Sequence, residues 1–391
     1  MEENEMYDEA LHQERQSIFE DVYNGRIPKR VPISAWITVD FAIQYSGMDV
    51  FEAQWHPDRM EAAFRKVAEE FFADTLPVHD AIRFPAMYEI LGAKNFIMGS
   101  NGYLQHPEIT PMKAEEYGEL AKDPIGFIVE TLLPRIYSEL DTTPEKRSII
   151  MAKAYKAFND TVGYMNGVLL PKLEKEYGFY QAPAGSGSMT AVPLDYIADQ
   201  MRGFKEFSSD VRRHKKDILK ANAALLPIML NKGIPPAPNR NNYTFMPLHM
   251  PPYMRTKDVE ELYLPDLKRI VEEIDAAGGK ANLFLEHDWM RFLDHLSEFP
   301  ENTVYRFEFG DAQKIKDKLG DKFIICGLYP VGLLKTGTEQ ECIDEAKRLF
   351  DILAPGGGYI FDFDKNIITT DSVNIDNLKA VLNFVREYGK Y

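Results

Sequence analysis

The stretch "KANLFLEHDW", residues 280–289, carries the fold in miniature. From Ala281 to Leu285 it is apolar along its length, as a buried strand is. It then turns abruptly into Glu286, His287 and Asp288. A strand that ends in a carboxylate and an imidazole has the pattern of an active-site rim. Its surroundings repeat the theme. "TVYRFEF" (303–309) is a second strand, and it leads into "GDAQKIKDKLG", where Ala312, Ile315 and Leu319 share one helical face. "KFIIC" (322–326) is a third. Thr338 and Glu341 have the T-x-x-E spacing of a capping box, and Ile343, Ala346, Leu349, Phe350 and Leu353 follow at helical intervals. "PGGG" (355–358) stops that helix, "YIFDF" is another strand, and Leu378, Val381, Leu382 and Val385 mark a last helix ended by Gly389.

Strand, loop and helix in succession predict a parallel barrel or an open doubly wound sheet. The earlier chain supplies more units. "RVPISAWI" (30–37), "ADTLPVHD" (73–80), "KNFIMGS" (94–100) and "NNYTFMPLHM" (241–250) all read as strands, and helices are expected over 64–72 and 259–277. The total is about eight strands, the number a (β/α)8 TIM barrel requires. The expected organisation is an N-terminal helical arm over residues 1–28, then one barrel domain over 29–391 with a helical insertion around 113–180. No G-x-G-x-x-G follows a strand and no Walker-type loop is present, which removes the familiar nucleotide fingerprints.

Composition narrows the function further. The 391 residues are 45% apolar and 27% charged, with a net charge of −16. Such a surface repels nucleic acid and anionic membrane. No apolar run is long enough to span a bilayer. The acidic start, "MEENEMYDEALHQERQ", lacks a signal-peptide layout, so a cytoplasmic location is expected. Two cysteines, Cys326 and Cys342, do not make a disulfide framework. The sequence sets no oligomeric state.

In a barrel, chemistry gathers where strands end. That rule selects His79 with Asp80, His249, Glu286 to Asp288, Glu308 with Asp311, Cys326, and Asp362 with Asp364 and Lys365. Each has a plainer reading beside it. Asp288 and Asp311 suit helix caps, His249 a packed histidine, and Cys326 inert packing on a buried strand.

Three stretches also resemble a known family. They are "ERQSIFEDVYNGRIPKRVPI" near the start, "LGDKFIICGLYPVGLLKTGTEQECIDEAKRLFD", and "GGYIFDFDKNIITTDSVNIDNLKAVLNFVREYGKY" at the end. The family is the uroporphyrinogen decarboxylase superfamily, whose barrel fold is shared with corrinoid- and cobalamin-dependent methyltransferases. In its decarboxylases an arginine-rich segment after the first strand holds the porphyrinogen carboxylates. The matching stretch here, "SAWITVDFAIQYSG" (34–47), has no Arg or Lys. In its thiol-directed methyltransferases, zinc is held by a His-x-Cys and a later Cys. Those positions fall here on Phe284 and Glu286, and near Lys365.

The resemblance therefore implies a methyltransferase that demethylates a small O- or N-methylated substrate, including methoxyaromatic ones, and passes the methyl group to the cobalt of a separate corrinoid protein. Zinc is the implied metal, with His249, Glu286 and Glu308 as ligands and Cys326 as a substitute. Glu286 and His287 are the expected catalytic groups. Trp36, His79, Trp289, Tyr305 and Asp311, with Phe309, are expected to contact the substrate. A cofactor-free decarboxylase of another carboxylic acid, and a non-catalytic small-molecule-binding barrel, are the alternatives.

Overall fold

The structure is a computed structural model that describes residues 8–78 and 84–390. Six strands form one continuous parallel sheet in sequence order: β1 (Ser188–Met189), β2 (Thr244–Leu248), β3 (Ala281–Asp288), β4 (Val304–Phe309), β5 (Ile324–Tyr329) and β6 (Tyr359–Phe363). Helices connect the later strands, among them Leu264–Ala276, Ala312–Leu319 and Glu339–Leu353, and the helix Ile375–Tyr388 follows the last one. The Thr338–Glu341 capping box forms as its spacing predicts.

Two extended segments complete the ring. Ile33 bridges Phe361 of β6 in parallel, and Ile37 bridges Val78. Asp74 N–H donates to Ile33 O at 2.8 Å, and Tyr180 N–H donates to Asp74 O at 2.8 Å. The first segment makes single bridges and no ladder for a definite reason. Pro32 has no N–H to give, and Trp36 gives its own to the Asp362 side chain at 3.1 Å. The arrangement is a TIM-type barrel in which six strands are laddered and two are bridged.

One expected barrel strand lies elsewhere. Within "KNFIMGS" only Ile97–Met98 is extended, and it pairs antiparallel with Leu104–Gln105 as a separate ribbon. The turn between them needs Gly102 at φ 81, and Gly99 N–H reaches Tyr103 O at 2.9 Å. The strand missing from the sequence reading is β1, only two residues long. The region expected as an insertion carries helices, the longest being Pro144–Tyr164.

The N-terminal helix α1 (Glu9–Tyr23) closes the bottom of the barrel. Asp8 caps it, accepting from Ala10 N–H at 2.9 Å. Ile18, Phe19, Val22 and Tyr23 pack against Val304, Ile324, Cys326 and Ile360, the inward residues near the starts of β4, β5 and β6. Arg15 and Arg30 anchor the helix and the first segment to Asp74, which is fully buried. Arg30 meets it with two hydrogen bonds of 2.7 Å, and Arg15 lies 3.4 Å away. No helix among the described residues is long and apolar enough to cross a membrane.

Candidate active site

Parallel strands deliver all their C-terminal ends to one rim, opposite the α1 plug. Leu248 of β2 is in register with Leu285 of β3, so the next residues, His249 and Glu286, emerge side by side. His249 Nδ1 and Glu286 Oε2 are 2.7 Å apart. Both line a cavity of about 280 Å³ with Asp195, Asp199, Tyr253 and His287, and among the described residues no Lys or Arg takes part in its lining.

Asp195 holds this corner from below. It lies in the helix Pro193–Ile197, just past β1, and is 1% exposed. Its carboxylate accepts from His249 N–H at 3.4 Å, Met250 N–H at 3.0 Å and the Tyr263 hydroxyl at 2.5 Å. Burial pushes its pKa up to about 6, against the opposing pull of the His249 charge and these hydrogen bonds. Burial pulls the His249 imidazole down, but the Glu286 hydrogen bond and the charges of Asp195, Glu286 and Asp199 outweigh it. Its pKa is pushed up to about 9. The site therefore holds an imidazolium at neutral pH.

The other predicted residues divide sharply. His287 has a backbone φ of 59 at a register shift in β3, which turns its ring toward Tyr253, 5.2 Å away. Its N–H donates to Glu308 Oε2 at 2.8 Å, and Lys365 Nζ lies 3.6 Å from the same carboxylate. Glu308 is thus held at the rim by other partners than His249 and Glu286. Asp311 caps the helix Ala312–Leu319, accepting from Lys314 N–H at 3.1 Å. Phe309 is exposed. Asp364 accepts from Val331 N–H at 3.0 Å, at the start of another helix.

Trp289 and Tyr305 face away from the cavity. Trp289 is fully buried, and its indole N–H donates to Glu286 O at 3.0 Å, so it props the strand end from behind. Tyr305 is also fully buried and donates its hydroxyl to Leu296 O at 2.6 Å. Along β4 the side chains alternate, so Arg306 points inward and Tyr305 points into the helical layer. Trp36 lies deeper in the barrel, with its ring 4.7 Å from the Arg306 guanidinium carbon and 5.1 Å from Phe284. His79 lies outside the described residues.

Cys326 stands apart from the other candidate ligands. The strand expected to end there runs on to Tyr329, which leaves Cys326 in the closed half of the barrel against α1. Burial pushes its thiol up to about 12, so it is protonated. A zinc site needs several donors converging on one point. His249 and Glu286 satisfy each other, Glu308 is engaged elsewhere, and Cys326 lies at the other end. Among the described residues no three His, Cys, Asp or Glu side chains gather in a way that could hold a metal ion. The predicted ligand set does not fit zinc as arranged.

The sequence reading missed Asp195, Asp199 and Asn95, which also lines the cavity. The signal present was "VPLDY", an acid in the first turn of a helix that opens with Pro193.

A barrel with its polar cluster at the C-terminal rim has the layout of the barrel enzymes. Residues 250–388 match the family model described as uroporphyrinogen decarboxylase (URO-D). That segment belongs to the uroporphyrinogen decarboxylase superfamily, as its motifs indicated. No curated protein matches the chain. Among solved structures, a methyltransferase from Methanosarcina mazei has a similar fold, with a TM-score of 0.59 over 97% of this chain and 98% of that one. The two are 14% identical, so the likeness is one of fold.

Proposed function

We propose that the protein is a methyltransferase that takes a methyl group from a small O- or N-methylated substrate and delivers it to the cobalt of a corrinoid carried by a separate protein. The observation that carries this reading is the His249–Glu286 pair, with Nδ1 2.7 Å from Oε2, on the wall of a cavity at the barrel rim. Ethers and amines are poor methyl donors because the electron pair of the breaking C–O or C–N bond stays on a basic atom. A proton delivered to that atom lowers the barrier. With Nδ1 engaged by Glu286, Nε2–H is the proton His249 has to give. This assigns the acid role to His249, where the sequence suggested His287.

The corrinoid supplies the nucleophile that accepts the methyl group. Glu286 orients the imidazole and keeps it charged, and Asp195 fixes the loop that carries it. Phe204 and Tyr253 stand exposed at the mouth, their rings 4.8 Å apart, and offer apolar footing to a partner. The methyltransferase from Methanosarcina mazei agrees with the reading at the level of fold. A decarboxylase draws less support, because among the described residues no Arg or Lys lines this cavity to hold a substrate carboxylate.

The test is an anaerobic assay with free cob(I)alamin as the acceptor, followed by absorbance, over a panel of methoxyarenes and methylamines. Methylation from at least one donor is expected, and His249→Gln should lower it at least a hundredfold. No transfer from any donor, or full activity in a folded His249→Gln, overturns the proposal.

A further inference from the structure

A second cavity, of about 220 Å³, lies inside the barrel among Ser34, Trp36, Tyr243, Asn282, Arg306 and Asp362. Among the described residues it shares no lining residue with the rim cavity. Its floor is charged. Arg306 is 8% exposed, and its Nη1 donates to Asp362 Oδ2 at 2.7 Å. The Asp362 carboxylate is fully engaged, since Oδ1 accepts from Trp36 N–H at 3.1 Å and Phe363 N–H at 2.7 Å. A guanidinium has five N–H groups in a rigid fork, so one bond to Asp362 leaves several to be met from the cavity.

Two hydroxyls add to the donor side. Tyr243 lines the cavity, and its phenolic O–H is a donor. Thr75 donates to the Ser34 Oγ at 3.5 Å, which leaves the Ser34 proton to give. Aromatic rings of Trp36 and Phe245, 6.2 Å apart, form a wall. The volume is below the ~300 Å³ where drug-sized pockets begin. We infer that this cavity binds a small, ring-bearing carboxylate, with its two oxygens shared among Arg306, Tyr243 and Ser34 and its ring against Trp36 and Phe245. Planar carboxylates match the guanidinium fork, and buried donors left unfilled are costly. One acceptor in the lining stays unfilled, because the Asn282 Oδ1 is buried without a hydrogen-bond partner. An amide ligand would fill it and a carboxylate would not, so benzamide is the discriminating competitor.

The inference goes beyond methyl transfer, and its readout needs no turnover. Benzoate is titrated into the full chain and followed by calorimetry and thermal melting, with benzamide and benzylamine alongside. Saturable one-to-one benzoate binding is expected, at least tenfold tighter than benzamide, with none of benzylamine. Arg306→Gln would strand the buried Asp362 and fail to fold, so the decisive variants are Tyr243→Phe and Ser34→Ala. Each should weaken benzoate binding several-fold while leaving the ligand-free melting temperature within a few degrees. Absence of saturable benzoate binding, benzamide binding as tightly, or benzoate affinity unchanged in both variants overturns the inference.

Discussion

Replacing Glu286 by Gln should release the proton on His249. The two side chains meet at 2.7 Å, with 36% of the His249 side chain and 26% of the Glu286 side chain exposed. Coulomb's law gives such a pair about 1.5 kcal/mol even at the dielectric constant of water, which is about one pKa unit. Partial burial strengthens it. Gln keeps a hydrogen bond and loses the charge, so the His249 pKa, now about 9, should fall by roughly one to two units. It should not fall further, because Asp195 and Asp199 still raise it. The assay is an imidazole ¹⁵N titration, with the His249 signal assigned by its loss in His249→Gln. Because the folded-state pKa lies above the unfolded one, the imidazolium stabilises the fold fully below the unfolded value, and that contribution disappears as the pH rises through about 9. In Glu286→Gln the loss should begin at lower pH, and the alkaline limb of any methyl-transfer rate should shift the same way. A His249 pKa unchanged within about a third of a unit would refute the reasoning, since the ion pair would then not set the protonation state.

Other expectations concern the scaffold around that pair. Asp74→Asn removes the carboxylate between two buried arginines, Arg15 and Arg30. It should destabilise the chain by about 3–5 kcal/mol in a denaturant melt. Cys326→Ala should leave the metal content and methyl-transfer rate of the purified protein as they are, and should cost only about 1 kcal/mol of stability. In the native protein, thiol reagents should label Cys326 only on unfolding, because it is a buried, protonated thiol. Tyr305→Phe should lower stability by about 1–2 kcal/mol through the unpaired Leu296 carbonyl, and should not change substrate affinity.

The strands and helices of the C-terminal half were legible because local signals agreed there. "ANLFLE", "TVYRFEF" and "YIFDF" lie where β3, β4 and β6 are found. The helix starts at Thr338 and Asp311 were written in their caps. The signatures in residues 250–388 also announced the superfamily. Glu286 was legible as a rim residue because the apolar run ends on it.

What the sequence could not decide was who stands beside whom. His249 and Glu286 are 37 residues apart in the chain, and only the parallel register of Leu248 with Leu285 brings them together. Asp195, which holds the His249 loop in place, is 54 residues from it and follows a two-residue strand with no pattern to read. Tyr305, expected at the substrate, packs into the helical layer because a barrel strand is buried on both faces, and an aromatic residue packs as well against helices as against a ligand. Cys326 moved from rim to plug because its strand ran three residues further than its apolar core suggested. Periodicity is a property of neighbours in the chain, so it fixed the elements. Pairing across strands closes loops of tens of residues, and only the packed barrel settles it.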